Sequence, residues 1–243
     1  MSTGAETATL TASGIGKTYG RQTALRDLDL RVGPGELIAV IGPNGAGKTT
    51  LLSILAGITD PDSGEVQAPN GGVGWVPQQP SLYRRLTVEE NLKLFARLEG
   101  HGDPDASVGE MLELTGLAER RGDQVADLSG GNQQRINIAL GLISQPVALL
   151  LDEPSVGLDP RQRARLWDFV SGLASTGTSV VFSTHDIQEA ERYGQRMVVL
   201  ADGERLFDGT AAELRSVVAR EAPEAADKDF ETAFVAYLRH RGH

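Results

Sequence analysis

The chain has 243 residues, with 33 acidic against 23 basic side chains, a formal charge of −10 and no cysteine. At 40% hydrophobic and 23% charged residues it reads as one or at most two folded domains, well away from disorder. No clustered basic stripe offers itself to a nucleic-acid backbone, so no nucleic-acid partner is expected. The absence of thiols excludes a disulfide framework, a thiolate metal site and a cysteine nucleophile.

The opening MSTGAETATLTASG lacks a basic segment followed by an apolar core, so no secretory leader is expected. The uncharged run 136–151 is interrupted by Asn137, Ser144, Gln145 and Pro146 and is not read as a membrane span. The expectation is a soluble cytoplasmic chain.

In chain order, residues 7–13 and 28–32 read as half-buried antiparallel strands. The run ELIAVI (36–41) is apolar after its first residue and leads into glycines. A helix is expected over 48–56, with Gly57 as its stop. Another covers 87–98, where Thr87 and Glu90 form a capping box and Leu92, Leu94, Phe95 and Leu98 recur at helical spacing. Helices over 107–116 and 131–144 follow, so that about 85–136 holds helices and no convincing strand. The strand VALLL (147–151) runs into Asp152 and Glu153. A helix over 161–174 separates it from SVVF (179–182), which runs into Ser183, Thr184 and His185. A helix over 187–193 precedes a hairpin, 197–200 with 204–207 around Asp202-Gly203. The Ala/Glu-rich stretch 219–228 reads as a linker to a last amphipathic helix, 230–238.

Short apolar runs of this kind are strands buried on both faces, as in a mainly parallel sheet covered by helices. Ligands of such sheets bind beyond the carboxyl ends of the strands, where all three polar clusters would meet. The fold class is therefore α/β: a mainly parallel core sheet, an N-terminal antiparallel β subdomain and an inserted α-helical subdomain. All belong to one domain, 1–243, with a short helical tail from about 216.

Gly42-Pro43-Asn44-Gly45-Ala46-Gly47-Lys48-Thr49, followed by Thr50, fits the phosphate-loop pattern between an apolar strand and a helix. That makes the core one of the P-loop NTPase type. Glycines let successive N–H groups converge on phosphate oxygens, and the following helix adds its N-terminal partial charge. Lys48 would span the β- and γ-phosphates of a nucleoside triphosphate, and the Thr49 hydroxyl would bind Mg²⁺. Two acids at the mouth of a strand as apolar as VALLL call for a cation or a proton-transfer role. Asp152 is assigned to the Mg²⁺ shell and Glu153 to polarising the attacking water. His185 stands at the same sheet edge, either as a γ-phosphate contact or as a structural histidine. His101, His240 and His243 read as solvated.

Leu128-Ser129-Gly130-Gly131-Asn132-Gln133-Gln134-Arg135 resembles the LSGGQ signature of the ATP-binding cassette (ABC) ATPases, with Asn132 where glutamine is usual. The resemblance runs from about residue 10 to residue 214. It implies that Ser129, Gly130 and Gly131 bind the γ-phosphate held by a second subunit, in a head-to-tail dimer of this chain or of a homologous ATPase subunit. It further implies that Tyr19 stacks on adenine, that Gln78 touches Mg²⁺ and the attacking water, and that Asp159 lies in the loop crossing the dimer interface. His185 becomes the switch histidine. ATP and Mg²⁺ are the implied substrate and cofactor, and ATP hydrolysis the implied activity.

One phosphate loop, no zinc module and no heptad segment point to a stand-alone nucleotide-binding subunit, peripheral on the inner face of the membrane through a separate permease. Gly157-Leu158-Asp159-Pro160, Leu166-Trp167 and the ending Asp229-Phe230-Glu231-Thr232-Ala233-Phe234 resemble bacterial exporters of drugs, antibiotics or lipids. An importer subunit, or a regulatory ATP switch with little turnover, is the alternative. Tyr83, Arg84 and Arg85 are expected to line the cleft that receives the permease.

Overall fold

The computed structural model describes residues 9–100, 103–225 and 228–243. Residues 7–8 of the first expected strand, and His101, lie outside them. Nine strands were found among the described residues: β1 (Leu10–Tyr19), β2 (Gln22–Val32), β3 (Leu37–Ile41), β4 (Ser63–Gln67), β5 (Val73–Val76), β6 (Ala148–Asp152), β7 (Ser179–Thr184), β8 (Arg196–Ala201) and β9 (Glu204–Gly209). They form two sheets, a three-stranded antiparallel β2-β1-β4 and a six-stranded β5-β6-β7-β3-β8-β9. In the larger sheet β5, β6, β7, β3 and β8 run parallel, and only β9 is antiparallel.

Successive strand side chains point to opposite faces, so an apolar run with no polar gap must be covered twice. Ile38, Val40, Leu150, Val181, Val198 and Leu200 pack on the face covered by the small sheet and by helix α1 (Lys48–Leu55). Their alternates Leu37, Ala39, Ile41, Leu149, Leu151, Val180 and Phe182 pack on the other face, where most of the remaining helices lie. Those helices are α2 (Val88–Leu98), α3 (Pro104–Thr115), α4 (Gly130–Leu142), α5 (Pro160–Ser175), α6 (Ile187–Tyr193), α7 (Ala211–Glu221) and α8 (Phe230–His240). Register fixes the site: Ile41 lies opposite Thr184, and Asp152 opposite Ser183. Three parallel neighbours thus end level with one another.

Helices α2, α3 and α4 form the inserted subdomain, as expected. The capping box at Thr87 and Glu90 is formed, and the hairpin turns at Asp202 (φ 45°) and Gly203 (φ 82°), the left-handed pair such a turn needs. Several boundaries differ from expectation. The first two strands are much longer than 7–13 and 28–32, because their register shifts at Ala12/Ile15, Ile15/Lys17 and Lys17/Thr18 break the alternation that marks a strand. Residues 219–221 are not linker but the end of α7. Thr210 and Glu213 cap that helix reciprocally, and Leu214 and Val218 bury into the core. The tail is not peripheral either, since Phe234, Tyr237 and Leu238 of α8 join the main cluster. Burying a side chain of that size contributes about 2 kcal/mol. The Tyr237 hydroxyl, buried without a hydrogen-bond partner among the described residues, returns part of that gain. His243 is not solvated: its Nδ1 lies 2.6 Å from Asp202 Oδ2, and 14% of its side chain is exposed. His240 is exposed, on the cleft along α8.

Candidate functional site

The phosphate loop leaves β3 at Gly42 and enters α1 at Lys48. Gly47 takes φ 102°, and a Cβ there would stand 2.5 Å from the Ala24 carbonyl oxygen, so no other residue fits. Gly45, at φ 86°, faces open space on the cleft side. The Lys48 side chain is 5% exposed; its Nζ donates to the carbonyls of Gly42 (2.8 Å) and Pro43 (3.1 Å) and lies 3.6 Å from Glu153 Oε1. Burial pushes the ammonium below its ordinary pKa, and the carboxylates of Glu153 and Asp152 pull it back up. A buried cation under a glycine-rich loop that opens a helix suits a polyphosphate.

The Thr49 hydroxyl donates to Asp152, with Oδ2 at 2.9 Å and Oδ1 at 3.1 Å. Hydroxyl and carboxylate therefore already converge on one point, the oxygen donor set a hard cation such as Mg²⁺ takes. Asp152 is itself held by the Ser183 hydroxyl at 2.6 Å, and the same Oγ accepts from the Glu153 N–H at 2.9 Å. Glu153 adopts φ 44°, an uncommon conformation for a non-glycine residue, and its Oε2 lies 3.0 Å from His185 Nδ1. Behind the histidine, buried Glu189 accepts from Thr184 Oγ1 and from Trp167 Nε1, both at 2.8 Å. It ties the turn after β7 to α5.

Tyr19, Asn44, Gly45, Gly47, Lys48, Thr49, Thr50, Gln78, Glu153 and His185 all line one cleft of about 530 Å³. Half of Tyr19 is exposed, which leaves its ring open to stacking by a flat group. Gln78 lies two residues beyond the end of β5 rather than within it. Ser129, Gly131 and Asp159 line a different cleft, of about 350 Å³, which shares no lining residue with the first. There Ser129 caps α4, its hydroxyl accepting from Asn132 N–H, while Asp159 caps α5 by accepting from Gln162 N–H. Gly130 begins α4 beside them. Asn132 contributes only its backbone to the cap, so the shorter side chain leaves that contact unchanged.

The cleft beside the insertion is lined by Trp75, Pro77, Ser81, Phe95, Glu99 and Asn137, among others, and not by Tyr83, Arg84 or Arg85. These three residues stand apart from that cleft: Tyr83 N–H and C=O are both turned onto Asn91 of α2, and 56% of the Tyr83 residue surface is exposed. Sequence reasoning also missed Ser183 as the holder of both acids and Glu189 as the tie between the end of β7 and α5. The sequence signal of Ser183 is its position, a polar residue at the end of a buried strand, whereas Glu189 lies inside α6 and carries none.

The ABC transporter family model matches residues 25–156. The linearmycin resistance ATP-binding protein LnrL of Bacillus subtilis is 36% identical over 85% of this chain and 71% of its own length. The Nod factor export ATP-binding protein I of Cupriavidus metallidurans is 38% identical over 86% of this chain and 73% of its own. Among solved structures, a dimeric ATP-binding cassette in a post-hydrolysis state with ADP and Pi superposes with a TM-score of 0.74 at 29% identity, covering 83% of this chain and 98% of that one. With the phosphate loop, its paired acids and the separate signature cleft in place, the chain belongs to the ABC transporter family, as an ATP-binding and ATP-hydrolysing subunit.

Proposed function

We propose that this subunit drives export of an amphipathic, drug-like or lipid-like compound through a separate membrane permease, from the cytoplasmic face of the membrane. The observation that carries the reading is the division of the site. Tyr19, Lys48, Thr49, Gln78, Glu153 and His185 share one cleft, while Ser129 and Asp159 share another. Each chain therefore offers half of two composite sites, and a head-to-tail pair completes both. In the proposed arrangement the nucleotide held on Gly42–Thr50 of one chain meets Ser129 and the Gly130 and Gly131 N–H groups of the other.

Lys48 and the loop N–H groups bind the phosphates, and Tyr19 receives the base. Glu153 orients and polarises the attacking water, with His185 holding its second oxygen. Mg²⁺, when bound, supplies charge neutralisation at the phosphates; Thr49, Asp152 and Gln78 are the side chains that would hold it. No helix among the described residues is long and apolar enough to cross a membrane, so the translocation path is assigned to a partner. The relatives named for drug resistance and for Nod factor export support export over import.

Glu153→Gln keeps the hydrogen bonding and removes the charge. ATP binding should persist, turnover should fall by about 10²-fold or more, and an ATP-dependent dimer should accumulate in gel filtration. Normal turnover would remove Glu153 from the mechanism. For export, co-expression with a candidate permease should lower cellular drug accumulation, and Lys48→Ala should abolish that effect.

A further inference from the structure

Asn137 is 2% exposed and sits on α4, the helix that Ser129 caps. Its side chain leaves that helix for the segment following β5. Nδ2 donates to the Pro77 carbonyl at 3.1 Å, and Oδ1 accepts from the Ser81 N–H at 3.4 Å. Those two backbone groups bracket Gln78. The far end of the same segment is fastened by Asn91 of α2, which is fully buried. Its Oδ1 accepts from Tyr83 N–H at 2.9 Å, and its Nδ2 donates to the carbonyls of Tyr83 (3.1 Å) and Thr87 (2.9 Å). Residues 77–87 are thus pinned at both ends to the helical subdomain.

From Ser129 to Asn137 is eight residues of helix, a rise of about 12 Å. A displacement at Gln78 pulls on Asn137, and a helix passes it to the other end. One turn before Asn137, on the same face, Gln134 is buried with its Nε2 unbonded among the described residues. A buried orphan donor is costly and favours a second arrangement in which it is paired.

We propose that Asn137 is a positioning residue that links the two nucleotide sites of the dimer. Gln78 senses the nucleotide of its own chain, Asn137 transfers the shift to α4, and Ser129 at the head of α4 meets the nucleotide of the partner. The proposal rests on the head-to-tail dimer put forward above. Asn91 holds the outer end of the segment so that movement is transmitted rather than absorbed. Linkage of this kind appears as cooperativity between sites.

The test uses the full-length protein with Asn137→Leu, which removes both hydrogen bonds at similar volume, and Asn137→Asp, which keeps the acceptor for Ser81 and turns a carboxylate onto the Pro77 carbonyl. Steady-state ATPase is measured against ATP concentration, with thermal midpoints to confirm folding and ATP affinity measured on the monomer. The wild type should show a Hill coefficient of about 1.5–2, within the limit of two sites. Both variants should fall to about 1, with monomer ATP affinity within about twofold of wild type. A folded variant that keeps the wild-type Hill coefficient overturns the proposal, as does a wild type with a coefficient of 1. Gel filtration of Glu153→Gln with ATP separates the two readings. Absence of a dimer there sinks the dimer itself, whereas a dimer with unchanged cooperativity sinks only the role of Asn137.

Discussion

Ser183→Ala tests whether the two acids are held by one hydroxyl. Ser183 is fully buried, donates to Asp152 Oδ1 at 2.6 Å and accepts from the Glu153 N–H at 2.9 Å. Losing a hydrogen bond to a carboxylate costs about 1.5–3 kcal/mol, and leaving the Glu153 N–H unpaired adds about 1–3 kcal/mol before relaxation. The two costs share one site and overlap, so the expected destabilisation is about 2–4 kcal/mol. For a domain of this size that lowers the melting temperature by roughly 4–16 °C.

Function should suffer separately from stability. Glu153 holds φ 44° at the strand end, and without the Ser183 acceptor its backbone is free to relax toward the common region. Its carboxylate then leaves the line between Lys48 and His185, so kcat should fall by about tenfold or more. Lys48 and Tyr19 are untouched, and ATP affinity should change by less than about threefold. Calorimetry, ATP titration and steady-state kinetics at a temperature where the variant is folded give the three numbers. A variant with unchanged melting and normal kcat would refute the reasoning, because both consequences follow from the same two bonds.

Ser129→Arg should abolish the ATP-induced dimer while sparing ATP binding by the monomer, since Ser129 lies outside the phosphate-loop cleft; gel filtration and ATP titration report the two effects. Acidification should weaken the helical subdomain through Glu89, whose carboxyl is held down at about 2 by Arg121 and Lys93. A depressed pKa contributes stability above its unfolded value near 4.5 and loses it as pH falls toward 2, so the urea-stability gap between wild type and Glu89→Gln, at most about 1 kcal/mol at this partly exposed cluster, should hold from pH 7 to about 4.5 and narrow steadily from there toward pH 2. Phe95→Glu, in the cleft lined by Trp75 and Asn137, should leave basal ATPase near normal and impair permease-stimulated ATPase; unchanged stimulation would place the docking surface elsewhere.

What was legible in the sequence is what lies contiguous in it. The phosphate loop, the Asp152-Glu153 pair and the signature each need a handful of adjacent residues, and strand and helix geometry delivers them to the sheet edge without further information. β4 was missed because SGEVQ is exposed along most of its length and carries no apolar pattern. α7 is marked by the capping box of Thr210 and Glu213, but it buries only Leu214 and Val218, too few apolar positions to set up a helical stripe against the Ala/Glu-rich stretch that follows. Tyr83, Arg84 and Arg85 were assigned to a cleft by chemistry alone, whereas a loop's lining depends on where tertiary bonds fix it. In this chain that fixing is done by Asn91, eight residues from Tyr83, and by Asn137, 56 from Ser81. The same holds for Ser183, 31 residues from Asp152, and for Glu189, 22 from Trp167. Each is a buried polar side chain spending its hydrogen bonds on another element, a pairing that no local spacing encodes. The groups proposed to touch nucleotide can therefore be read from motifs, while the groups that hold and connect them become visible only once the chain is folded.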